Sequence, residues 1–129
     1  MNHVGKMYPS IVPYFNARTK KTEFKSRPIL ILAEPIGVDT EYTVLPVSTV
    51  SNHAFYNALF DVEIKPSDYP KLHLSKTSYV RTHKQTTMYK SLIDFHKCIG
   101  DLKTDYSDCF HEVLDKLDCF NHSVHKEDV

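Results

Sequence analysis

Arg27 and, further along the chain, the adjacent hydroxyls of Ser48 and Thr49 are the groups best suited to chemistry in this sequence. A guanidinium is a planar fork of N–H donors that can meet two phosphate oxygens at once. A neighbouring hydroxyl can donate to the same oxygens, so the combination fits a phosphodiester. On local sequence a blander reading stays open, in which Arg27 pairs with a surface carboxylate beside an ordinary Ser/Thr turn.

Other chemistries find less support. The chain has eight histidines, but His73/His83 and His122/His125 do not match zinc-ligand spacing, and no His-Glu-x-x-His occurs. Neither a glycine-rich phosphate loop nor a Cys-x-x-Cys pair is present. The three cysteines, Cys98, Cys109 and Cys119, read as reduced thiols of a cytoplasmic protein, the latter two on or beside a helix. No metal and no cofactor is expected.

The elements around Arg27 should hold it rigidly. Pro28 follows it and leads into Ile29, Leu30, Ile31 and Leu32, an aliphatic run with no polar alternation. That run predicts a strand buried on both faces. Proline has no N–H for a ladder, so Pro28 should open the strand, with Arg27 at its mouth. Residues 42–47, rich in β-branched and aromatic side chains, predict a strand that delivers Ser48 and Thr49.

The remaining chain reads as further short strands and one helix. Residues 4–14, broken by Pro9 and Pro13, predict an edge strand with Ile11 and Val12 inward. Residues 16–23 are polar and basic, and read as a loop serving either as a solvated hairpin tip or as a functional flap. Residues 35–39 form a turn by composition. Residues 60–64 alternate, with Phe60, Val62 and Ile64 inward and Asp61 and Glu63 outward. Residues 66–74 are a proline-broken loop, residues 78–85 a strand, and Gly100 a turn. From 105 to 120, Tyr106, Phe110, Val113, Leu114 and Leu117 recur at helical spacing, with Thr104 as N-cap. Residues 121–129 read as a frayed polar tail. The sum is mainly β with a C-terminal helix: a small, strongly curved antiparallel sheet or barrel, in one domain over residues 1–120.

Composition agrees with one globular domain. The 129 residues are 41% apolar and 25% charged, with zero formal net charge, which excludes a general nucleic-acid coat protein. The charge is uneven, however. Residues 1–27 carry six basic groups against one acidic, and residues 94–129 carry four against nine. A basic front and an acidic end suggest one face for an anionic ligand and another kept from it. No run is long enough to span a membrane, and no signal-peptide core opens the chain.

Taken in order, Gly5-Lys6-Met7-Tyr8, a basic loop, Lys25-Ser26-Arg27-Pro28-Ile29-Leu30-Ile31-Leu32, Leu45-Pro46-Val47-Ser48-Thr49, Ser78-Tyr79-Val80-Arg81-Thr82, Ile99-Gly100-Asp101-Leu102 and a closing helix resemble the MazF/PemK family of toxin endoribonucleases. The likeness runs from about residue 4 to residue 120. It departs from the family pattern in Lys6 after Gly5 and in a first loop without a glycine-rich Glu-x-Gly element. The resemblance implies an SH3-like barrel, a homodimer and a cognate antitoxin. It also implies metal-independent, sequence-selective cleavage of single-stranded RNA, messenger RNA in particular. By position, Arg27 matches the family's catalytic arginine and Thr49 its catalytic threonine.

RNA carries its own nucleophile, the ribose 2′-hydroxyl, so positioning and charge stabilisation are what the enzyme must add. Arg27 would hold the non-bridging oxygens, with Thr49, and Ser48 behind it, donating to the same phosphorane. The products would be a 2′,3′-cyclic phosphate and a 5′-hydroxyl. Lys20, Lys21 and Lys25 would hold the RNA backbone. Bases would be read by stacking and by edge contacts from Ser51, Asn52, Arg81, His83 and Gln85. His83 or His53 would supply a titrating group. Two rivals share the barrel: a gyrase-binding toxin like CcdB, acting through its helix, and a non-catalytic SH3-like interaction module.

Overall fold

The computed structural model describes residues 2–49 and 56–126. Among these residues, seven strands and two α-helices follow in order: β1 Lys6–Asn16, β2 Lys21–Ala33, β3 Glu41–Ser48, β4 Asp61–Ile64, β5 Ser78–Arg81, β6 Thr86–Tyr89, β7 Gly100–Asp101, a short α1 Leu102–Asp105, and the C-terminal α2 Ser107–Lys126. All pairings are antiparallel, and the order across the sheet is β4-β5-β3-β2-β1-β7, with β6 also on β3. One edge of β3 is shared: its residues 41–44 pair with β6, and Val47 and Ser48 pair with β5. That split curls the sheet into a half-barrel, the mainly-β architecture expected.

Residues 29–32 have the two-sided burial that their composition predicts. Leu30 joins Met7, Leu45, Val47, Val62, Val80 and Leu102 in one core, against which α2 lays Phe110, Val113 and Leu117. Ile29 and Ile31 face the opposite side, with Tyr8, Tyr42, Val44 and Ile93. The helix therefore buries the apolar stripe read from its spacing. It starts and ends differently, however. Thr104 lies within the short α1, which Asp101 caps by accepting from Thr104 N–H at 3.0 Å, and α2 begins only at Ser107. Helix α2 also continues to Lys126, through six of the nine residues read as a frayed tail. No helix is long and apolar enough to cross a membrane among the described residues.

Other expectations are corrected. Residues 16–23 are no open loop: β1 and β2 pair from Met7↔Leu30 out to Asn16↔Lys21, leaving only residues 17–20 as a turn. Tyr14, Asn16 and Thr19 all donate to the Glu23 carboxylate, at 2.9, 2.9 and 3.1 Å, and hold it below the usual glutamate range. This ribbon projects beyond the core, so Ile11 is 49% exposed rather than inward, as are Phe15 at 67% and Phe24 at 66%. Asp61 is fully buried rather than outward, and residues 82–84 form a 3₁₀ turn that interrupts the strand expected over 78–85. Gly100 sits in strand β7. Its missing side chain is needed there, since a Cβ would lie 2.3 Å from Leu72 Cδ2.

Candidate active site

Pro28 does not begin its strand; it sits inside β2 and shapes the site in another way. On one side it faces Pro9 of β1. Neither proline can donate, and the Pro9 carbonyl turns away to accept from Asp94 N–H at 2.9 Å. The two prolines thus occupy a position of the antiparallel ladder where no bonds are exchanged. On the other side, β2 pairs with β3 as far as Ile29↔Pro46. The next pair in that register would set Pro28 against Val47, and Pro28 has no N–H to give. The ladder ends there, β3 turns to pair with β5, and a cleft opens between the two strands.

A cavity of about 440 Å³ occupies this cleft. Lys25, Ser26, Arg27 and Pro28 line it from β2, and Val47, Ser48 and Thr49 from the end of β3. The segment between β4 and β5 closes the third side with His73, Leu74, Ser75 and Lys76, joined by Ser78 at the start of β5, and Ile99 completes the wall. Arg27, Ser48 and Thr49, read from sequence as one group, therefore share one cavity. The Arg27 backbone is pinned by Ser10, a buried hydroxyl that donates to the Arg27 carbonyl at 2.8 Å. Ser48 Oγ is buried and has no hydrogen-bond partner among the described residues. An orphan hydroxyl at a cavity wall is a donor awaiting an acceptor.

The candidate RNA contacts are distributed more widely. Lys25 lines the cavity, with its Nζ 4.5 Å from the centre of the Tyr14 ring. Lys20, in a left-handed conformation at φ +57°, and Lys21 lie at the ribbon's far end. Gln85 is exposed after the 3₁₀ turn and does not line the cavity. Ser51 and Asn52 lie outside the described residues, as does His53.

Arg81 and His83 belong to a different cluster. Arg81 Nε donates to Asp61 Oδ1 at 3.2 Å, and Asn57 N–H donates to Asp61 Oδ2 at 2.8 Å. His83 Nδ1 lies 3.8 Å from the same carboxylate, and its Nε2 is 3.5 Å from Arg81 Nη2. Burial, more than any neighbouring charge, pushes the His83 pKa below the usual imidazole value. These contacts explain why Asp61 turns inward against its strand's alternation: a buried carboxylate is tolerated when it is paired and hydrogen-bonded.

Sequence reasoning missed the wall at residues 73–78. A proline-broken loop carries no periodicity, and its place is set by contacts distant in the chain. His73 N–H donates to Ile99 O at 2.8 Å, and Lys71 N–H to Tyr106 Oη at 2.9 Å. Leu72, between them, is buried against Gly100. The only available signal was composition: four hydroxyl or cationic residues in succession, Ser75, Lys76, Thr77 and Ser78.

The fold is a small, mainly β half-barrel, curled and antiparallel, backed by a C-terminal helix and opening a cleft beside its central strands. The family model for PemK-like, MazF-like toxins of type II toxin–antitoxin systems matches residues 12–117, and the chain belongs to that family. Membership implies an antitoxin protein as partner. A comparison with curated proteins found no match.

Proposed function

We propose that this toxin is a metal-independent, sequence-selective endoribonuclease that cleaves single-stranded RNA, with messenger RNA as its cellular target. One observation carries the reading: Arg27 from β2 and Ser48 and Thr49 from the end of β3, distant in sequence, line one cavity of about 440 Å³. Arg27 binds the non-bridging oxygens of the scissile phosphate. Thr49 donates to the same group, and the unpartnered Ser48 hydroxyl adds a further donor. The substrate's own 2′-hydroxyl attacks, which leaves a 2′,3′-cyclic phosphate and a 5′-hydroxyl. Charge that develops on the phosphorane meets donors already in place, the largest source of acceleration in such sites. Lys25 and Lys76 add positive charge along the approach.

The toxin acts in the cytoplasm as a homodimer until its antitoxin covers the RNA site. The exposed apolar face of the ribbon, with Ile11, Phe15 and Phe24, favours a protein partner there.

Mapping the 5′ ends of RNA fragments tests activity and selectivity together. Wild type should give a short set of sites, all with 5′-hydroxyl ends. Arg27→Ala should fold normally and lose about a thousandfold or more in rate. A substrate with 2′-deoxyribose at the scissile position should stay intact. A folded Arg27→Ala protein with undiminished cleavage would refute the assignment.

A further inference from the structure

We propose that His73 is the proton acceptor for the attacking 2′-hydroxyl, an inference that rests on the ribonuclease reading above. The reaction needs a group that can take a proton near neutral pH. Guanidinium and ammonium groups have no lone pair to accept a proton, and the hydroxyls of Ser48 and Thr49 are poor bases. Imidazole has a ring nitrogen that can take one, and His73 supplies the only imidazole among the described residues lining the cavity.

Three features mark His73 as placed rather than incidental. Its backbone is fixed: His73 N–H donates to Ile99 O at 2.8 Å, and Leu74 N–H donates to Leu72 O at 2.9 Å. The preceding residue, Leu72, is 3% exposed and seated against Gly100. Its ring is uncommitted as well. His3 is bound to Glu34 and His83 lies beside Asp61 and Arg81, whereas the His73 imidazole makes no hydrogen bond or ion pair among the described residues. The third feature is position, because His73 stands on the wall supplied by neither β2 nor β3, in the same cavity as Arg27 and Thr49.

The step balances as follows. The 2′-oxygen forms a bond to phosphorus while the bond from phosphorus to the 5′-oxygen breaks. The 2′-hydroxyl proton passes to the neutral His73 ring, and the departing 5′-oxygen takes a proton from water. The imidazolium then returns its proton to the hydroxide so formed. Arg27 and Thr49 hold the phosphorane and exchange no proton.

The test is the pH–rate profile of kcat/KM on one cleavable RNA, for wild type, His73→Gln and His73→Ala. Wild type should lose activity on an acid limb in the imidazole range. His73→Gln should lose about 10²–10⁴-fold in kcat, with KM little changed, and the acid limb should disappear. Imidazole added to His73→Ala should restore part of the rate, which a merely structural role would not allow. If wild type cuts RNA and His73→Gln keeps both its rate and its acid limb, His73 is not the base and the ribonuclease reading stands. If wild type leaves all RNA intact, that reading fails and takes His73 with it.

Discussion

The Ser10 hydroxyl donates a 2.8 Å hydrogen bond to the carbonyl of Arg27, across a strand pair whose next rung holds two prolines. The ladder exchanges no bonds at Pro9 and Pro28, and on the neighbouring rung the Ser10 hydroxyl adds a side-chain donor to the Arg27 carbonyl. The side chain of Arg27 is exposed, whereas its main chain is held from beneath by a residue only 1% exposed.

Ser10→Ala should therefore act on two scales. The lost hydrogen bond should cost about 1 kcal/mol in denaturant unfolding. Cleavage should fall more than that cost explains, because a guanidinium on a looser mount misses its geometry. Single-turnover rates at saturating RNA, measured beside the unfolding midpoint, check both expectations.

Gly100→Ala should disturb the opposite wall. The new Cβ would stand 2.3 Å from Leu72 Cδ2 and 3.2 Å from Leu72 Cα. Because the backbone is among the clashing partners, side-chain rotation alone cannot relieve it. Overpacking of this kind costs about 1–3 kcal/mol. The displaced residue precedes His73, so cleavage should drop further in this variant than in a control of equal stability altered elsewhere. Thermal unfolding and cleavage assayed on the same samples separate the two effects.

Stability should also depend on pH through His83. Its folded pKa lies below the ordinary 6.5 because burial disfavours the charged ring. As pH falls below about 6.5 the unfolded chain takes up the proton first, so it binds more protons than the folded one. Stability is thus full above that point and declines as pH drops toward the lower, folded value. His83→Gln should flatten this part of the curve while leaving the acid limb of catalysis in place. Urea midpoints between pH 5 and 8 would show the slope, and an unchanged slope in the variant would count against His83 as its source.

Salt dependence should report on Lys25. It is the candidate backbone contact that lines the cavity, so Lys25→Ala should lower the slope of log K against log salt by about 1. Lys20→Ala, at the ribbon's far end, should change that slope less if RNA lies along the cavity alone. Binding of a non-cleavable 2′-deoxy analogue at several salt concentrations makes the comparison.

Much of the site was legible because its residues sit beside strongly patterned strands. Arg27 precedes an aliphatic run and Ser48–Thr49 follow another, so their elements could be found without knowing the fold. Burial of polar groups was less legible. Asp61 looked outward by alternation, since nothing local reveals an Arg81 twenty positions on. Ile11 looked inward for the converse reason: its strand outruns the core and leaves apolar residues uncovered. His73 stayed hidden because its position is decided by Ile99, Gly100 and Tyr106 rather than by its neighbours.

That last dependence bears on synthesis of the protein. A ribosome that has released residues 1–90 has already delivered Arg27, Thr49 and His73, yet not Ile99, Gly100 or Tyr106, which seat the third wall. Such a chain carries the side chains that line the cavity before it carries the residues that seat the third wall, so the cavity takes shape only when those later contacts form.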